Sequence, residues 1–101
     1  MENLAALLPA AFALHPNFPN PFNPSTTIAY QVPQDGPVEL TVYNIVGQPL
    51  VQLVRDWRQA GTYRIAWDGR DAVGQAVGSG VYFYRLRAAG QTASRRMHLL
   101  K

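Results

Sequence analysis

The sequence contains no cysteine. A disulfide framework is therefore excluded, as are thiol catalysis and cysteine-ligated zinc. Histidine is nearly as scarce, with only His15 and His98. The serines Ser25, Ser79 and Ser94 stand in no nucleophile-elbow pattern. This inventory gives catalysis little to work with, so no enzyme and no cofactor are expected. Charge is sparse too, at 15% of residues against 48% hydrophobic, which marks a packed chain rather than a disordered one. Long apolar runs are missing. The stretch from Leu4 to Leu14 is broken by Pro9, and a bilayer span needs about 20 residues. Ala11-Phe12-Ala13 looks like a signal-peptide cleavage triplet. The residues before it carry Glu2 and no Lys or Arg, so the positive n-region of such a peptide is absent. Asn23-Pro24-Ser25 has proline in the middle position and is no glycosylation sequon.

What is present is a short chain of 101 residues, the length of one domain with a thin core. Net charge is +3 and unevenly placed. From Gly80 onward there are Arg85, Arg87, Arg95, Arg96 and Lys101, and no acidic residue. Nucleic-acid binders carry such stripes. Five cations spread over two strands are more commonly solvated edges and faces, so neither a nucleic acid nor a small-molecule substrate is the expected partner.

The chain divides into an apolar tail (1–16), an Asn/Pro-rich lead-in (17–25) and a strand-rich body (26–101). Prolines at the density of Asn17-Phe18-Pro19-Asn20-Pro21-Phe22-Asn23-Pro24 forbid helix. Phe18 and Phe22 are too apolar for a free linker and are expected to pin this segment to the domain. From Thr26 onward, apolar and polar residues alternate between turn signals. Thr26–Val32 places Ile28, Tyr30 and Val32 on one face, and Val38–Tyr43 does so with Val38, Leu40 and Val42. Asn44-Ile45-Val46-Gly47 reads as a turn with Gly47 at positive φ. Gln48–Val54 is a weaker strand, and Pro49 assigns it to a sheet edge or to a strand's first residues. Thr62–Trp67, Val81–Ala88 and Thr92–Leu100 follow, the last two as a hairpin around Ala89-Gly90. About seven such strands make an all-β, immunoglobulin-like antiparallel sandwich.

Several positions invite a functional reading beside a plainer one. Asp68 and Asp71 lie three apart among glycines, which makes them weak calcium candidates. Arg70 between them and the lack of a closing glutamate favour simple turn chemistry. Trp57 sits among charged residues as a possible sugar platform, whereas Trp67 shares its face with Tyr63 and Ile65 and belongs to a core. Tyr82, Tyr84, Leu86 and Ala88 also read as core. The opposite face of that strand turns from Val81 and Phe83 to Arg85 and Arg87, and it is the best candidate for a partner surface.

The segment Phe12 to Ile28, with its Pro-Asn-Pro-Phe-Asn-Pro centre, resembles the lead-in of the C-terminal sorting domains of the bacterial type IX secretion system. Val42-Tyr43-Asn44-Ile45-Val46-Gly47, Trp67-Asp68-Gly69 and Ser79-Gly80-Val81-Tyr82-Phe83-Tyr84-Arg85-Leu86 are similar to later pieces of the same group. So is the basic-then-apolar close from Arg95 to Lys101. The related immunoglobulin-like domain of flagellar hook-capping proteins shares the middle pieces. The resemblance implies a seven-stranded sandwich that outer-membrane secretion machinery reads as an address, at the surface or outside of a Gram-negative-type bacterium. It places the address in the last strands, here Gly80, Tyr82, Tyr84, Arg85, Arg87, Arg95, Arg96 and Lys101. Phe18 stands where tyrosine is commoner, and Pro49 interrupts a strand usually unbroken. A second reading makes the chain a self-assembling filament subunit. Its tail (Leu4, Leu7, Leu8, Phe12, Leu14), with Phe18 and Phe22, would then dock on the next copy or add a strand to it.

Overall fold

The computed structural model describes residues 11–101, and among these there is no helix. Seven strands run in chain order: β1 (Ala13–Leu14), β2 (Thr26–Val32), β3 (Gly36–Tyr43), β4 (Pro49–Arg58), β5 (Gly61–Trp67), β6 (Gly80–Ala88) and β7 (Gln91–Leu99). They form two antiparallel sheets, β1-β2-β5 and β4-β3-β6-β7. The sheets face each other as the immunoglobulin-like sandwich that the alternation implies.

Alternation decides which side chains are inside. β2 contributes Ile28, Tyr30 and Val32, β3 contributes Val38, Leu40 and Val42, and β6 contributes Tyr82, Tyr84, Leu86 and Ala88. β7 adds Met97 and Leu99, and β5 adds Trp67. The β6–β7 hairpin turns through Ala89 and Gly90, both at positive φ, the geometry that suits the strands' right-handed twist. Asn44 Oδ1 accepts the amides of Val46 and Gln48, and Gly47 takes φ +85°. The expected turn between β3 and β4 is thus built by one asparagine.

β4 is an edge strand and Pro49 is its first residue, where a missing N–H leaves no gap in the ladder. The strand runs beyond Val54 to Arg58. Register shifts against β3 at Leu40/Thr41 and Val42/Tyr43 break its period of two, so alternation alone understates its length. Its last four residues are polar or largely exposed, and the ladder to Gly36–Glu39 holds them.

The tail and lead-in depart from the expected division. Ala13 and Leu14 are a strand of the sandwich, paired with Gln31 and Tyr30. Leu14 and Phe22 are core residues, and Phe12 packs partly against them. Of the proposed tail-docking set, Leu14 and Phe22 are thus buried in their own domain and Phe12 is half-buried against its core. Leu4, Leu7 and Leu8 lie outside the described residues. Phe18 pins the segment in a different way from that expected. Its side chain is 79% exposed, while its backbone exchanges hydrogen bonds of 3.0 and 2.9 Å with Thr27.

Candidate functional site

The lead-in, the Trp-Asp-Gly piece and the last strand are far apart in the chain and meet at one end of the sandwich. Phe22 runs beside the end of β7: its amide donates to His98 O and its carbonyl accepts from Leu100, both at 3.0 Å. Asn20 Oδ1 accepts the His98 amide at 3.0 Å. The Phe22 ring packs at 5.7 Å from Trp67, and Trp67 at 5.5 Å from Tyr82. Trp67 Nε1 donates to Arg70 O at 2.9 Å, and Tyr82 Oη to Gly78 O at 2.6 Å, so both large side chains are buried with their polar atoms satisfied.

Gly69 sits at the centre of this junction. Its φ is +74°, and a Cβ there would lie 3.1 Å from Pro24 O and 3.7 Å from a Leu99 methyl. Backbone conformation and close packing both require glycine. The Trp-Asp-Gly piece is thus the clasp between the lead-in and the last strand. Asn17, itself buried, completes the lead-in by donating to Thr26 Oγ1 at 3.0 Å, and Thr26 donates to Pro19 O at 2.8 Å.

Behind this junction, the outer face of the four-stranded sheet is open to solvent. Register sets its rows. Arg55, Glu39, Arg87 and Thr92 form one row, and Gln52, Thr41, Arg85 and Ser94 the next. Tyr43, Phe83 and Arg96 form a third, and Val81 and His98 end the face. Arg85 is half-buried. Its guanidinium lies 4.9 Å from the Tyr43 ring centroid and donates to Tyr43 Oη. Arg87 and Glu39 stand 3.9 Å apart in an exposed ion pair of little energetic weight.

The candidate address residues are divided between the outer face, the interior and the ends of the last strands. Arg85, Arg87 and Arg96 share this outer face. Tyr82 and Tyr84 do not belong to any surface, because their alternation turns them inward; they support the face from beneath. Tyr84 Oη donates to His15 O at 2.7 Å, and Arg95 Nε donates to Leu14 O, so both tie the N-terminal segment to β6 and β7. Burial pushes the Tyr84 phenol above its ordinary value, with Arg95 pulling the other way. Gly80 opens β6 in extended backbone, and Lys101 lies at the exposed end, its amide on Ser79 Oγ at 3.0 Å.

The Asp68–Gln75 loop is turn chemistry. Asp68 Oδ1 accepts the Arg70 amide at 3.2 Å, and Asp71 Oδ1 accepts those of Val73 and Gln75 at 3.1 and 2.9 Å. Among the described residues no three metal-ligating side chains stand together. Trp57 is 62% exposed on the edge strand opposite Pro37, at the far end of the sheet from the junction. Ile45 and Val46, part of the turn and of a family-like piece in sequence, are exposed at the tip of the β3–β4 turn. Their cue was there: two β-branched apolar residues where turns favour polar ones.

Residues 17–99 match the family model described as the secretion system C-terminal sorting domain. The chain belongs to this family. No curated protein matches it. Among solved structures, the sorting domain is similar to part of latent PorU from Porphyromonas gingivalis, at 23% identity and a TM-score of 0.68. It is also similar to part of PorZ, a surface component of the type IX secretion system of that bacterium, at 20% and 0.59. It covers 91% and 90% of itself in these two matches, but only 9% of PorU and 12% of PorZ. FlgD from Xanthomonas campestris, a protein of flagellar hook capping, matches at 22% identity and a TM-score of 0.61, over 93% of this chain and 70% of FlgD. Likeness at these identities speaks for the sandwich fold shared by all three.

Proposed function

We propose that this domain is a non-catalytic address, read by outer-membrane secretion machinery, that sorts an attached protein to the surface or exterior of a Gram-negative-type bacterium. The observation that carries the reading is the family match over residues 17–99. The junction adds physical support. Lead-in, Trp-Asp-Gly clasp and last strand are one packed unit, so the motif residues that carry the family resemblance fold together. The outer face of β6 and β7, with Arg85, Arg87 and Arg96, is the part we assign to contact with the machinery.

The test is a fusion of residues 11–101 behind a signal peptide and a fluorescent reporter, expressed in a bacterium with a type IX system. Reporter at the cell surface or in the medium, dependent on the secretion machinery, is the expected result. Reporter retained in the periplasm would defeat the reading.

A further inference from the structure

The outer face of the four-stranded sheet holds a groove of about 370 Å³, lined by Tyr43, Ile45, Val46, Gly47, Phe83, Arg85 and Ser94. One wall is apolar. Ile45 and Val46 are 68% and 74% exposed, and Phe83 stands beside them on β6. Water meets these side chains at a cost that an apolar occupant would remove. The other wall is the Arg85 guanidinium, held by the Tyr43 ring and hydroxyl. A carboxylate is the strongest natural partner of a guanidinium fixed in this way.

No acidic residue lines the groove. By register, the sheet's outer face carries Arg55, Arg85, Arg87 and Arg96 against one carboxylate, Glu39, which already pairs with Arg87. Charge complementarity therefore asks for an anion, and the Ile45–Val46–Phe83 wall asks for an apolar group beside it. A sugar would want a flat aromatic platform, and a phosphate several convergent donors. The groove offers one fixed guanidinium beside a branched aliphatic wall.

We propose that this groove docks an acidic–apolar peptide segment of a protein partner, with a carboxylate on Arg85 and a leucine-like side chain against Ile45, Val46 and Phe83. The inference rests on the sorting reading for the identity of that partner as part of the secretion machinery.

The experiment is fluorescence polarisation of the whole chain with labelled short peptides pairing Asp or Glu with Leu. Matched peptides carry Asn or Gln for the acid, or Ser for the leucine, and heparin and phosphatidylglycerol vesicles are parallel probes. The acidic–leucine peptide is expected to bind saturably. Binding should weaken about tenfold or more on removing the acid, and equally in Arg85→Gln, the loss of roughly one charged hydrogen-bonded pair. The double variant Ile45→Ser with Val46→Ser, in an exposed turn that tolerates polar residues, should weaken it comparably. Arg64→Gln, on the other sheet, should leave it unchanged. Absence of saturable peptide binding, peptide binding untouched by both groove variants, or capture of heparin or vesicles in the peptide's place overturns the proposal. The reporter fusion separates the two readings. Export by the wild-type domain that persists undiminished in both groove variants removes the groove from the address and leaves sorting standing. Failure of the wild-type domain to direct export defeats sorting, and the peptide titration still decides the groove.

Discussion

Two stretches of this domain lack a regular ladder, residues 15–25 and residues 68–79, and they are ordered by opposite means. The first is tied to distant parts of the chain. Phe22 is 2% exposed against Trp67 and bonded to β7, and His15 O accepts from Tyr84. The second is tied largely within itself, with bonds to the strands from Ala72 N–H to Leu50 O, Trp67 Nε1 to Arg70 O and Tyr82 Oη to Gly78 O. Asp71 holds the amides of Val73 and Gln75, Gly74 N–H returns to Asp71 O, and Arg70 reaches Gly74 O. Val73 at its tip is 80% exposed. Bonds between neighbours form and break locally, whereas contacts across the chain open only with the whole structure. The lead-in therefore belongs to the cooperative unit and the loop to its periphery, although both look like irregular connections in sequence.

The largest test of this contrast is Phe22→Ala. Truncating a fully buried aromatic is expected to destabilise by about 3–5 kcal/mol, a large share of the roughly 5–15 kcal/mol that a domain has in all. Urea denaturation should show the midpoint falling with the slope unchanged. An unaltered midpoint would mean that the lead-in peels away without the body noticing, and the contrast would be gone. Next in size is Gly69→Ala, at the point where the two stretches touch. Positive φ and the 3.1 Å approach to Pro24 O both oppose a methyl there, and about 1–3 kcal/mol is expected. Gly74→Ala is its control. It has φ +85° but nothing within 4 Å, so only the backbone term of about 1 kcal/mol or less should remain. Equal losses at the two glycines would show that the clasp is not a packing contact.

Tyr84→Phe cuts a single thread between lead-in and sheet, the 2.7 Å bond to His15 O. About 0.5–1.5 kcal/mol is expected. The same residue gives the contrast a pH dependence. Burial raises the Tyr84 phenol, and it raises Tyr30 and Tyr82 as well. Below the ordinary tyrosine value of about 10, these groups are protonated in both folded and unfolded chains and stability is flat. As pH climbs past it, the unfolded chain loses protons that the folded chain keeps. Stability then falls until the raised folded value is passed. Thermal melts at increasing alkalinity should show this fall, and Tyr84→Phe should make it shallower without abolishing it. An identical slope in the variant would remove Tyr84 from the account.

The sandwich was legible because one face of most strands is buried, and burial writes a period of two into β2, β3, β5 and β6. β4 was half legible, since two register shifts and a polar, largely exposed end erase its period. β1 left no pattern at all, because two residues are too few to show one. The outer face of β6 was visible as an alternation of Val81, Phe83, Arg85 and Arg87. Its groove was not, because Tyr43, Val46 and Ser94 come together only through register and a turn. The motif residues themselves pointed to family, but their physical reason was hidden. Nothing in Trp-Asp-Gly announces that the glycine faces Pro24 and Leu99, each tens of positions away in the chain.

The smallest effect belongs to Asp71→Ala, and it bears most directly on the loop. The variant loses two hydrogen bonds, to Val73 N–H and Gln75 N–H, both at exposed positions where water replaces the carboxylate. The backbone bond from Asp71 N–H to Gln75 O at 2.9 Å remains. Neighbouring Asp68 and Arg70, 3.8 Å apart and both exposed, add too little to change the outcome. A global loss of about 1 kcal/mol or less is expected. Amide exchange at Val73 and Gln75 should quicken clearly while Phe22 and Leu100 exchange as before. That pattern is what a locally ordered loop must give, since its opening leaves the lead-in seated on Trp67. If exchange at Phe22 quickened in step, the loop would be part of the clasp, and Gly69 would hold the lead-in through the loop's own order rather than by contact with Pro24.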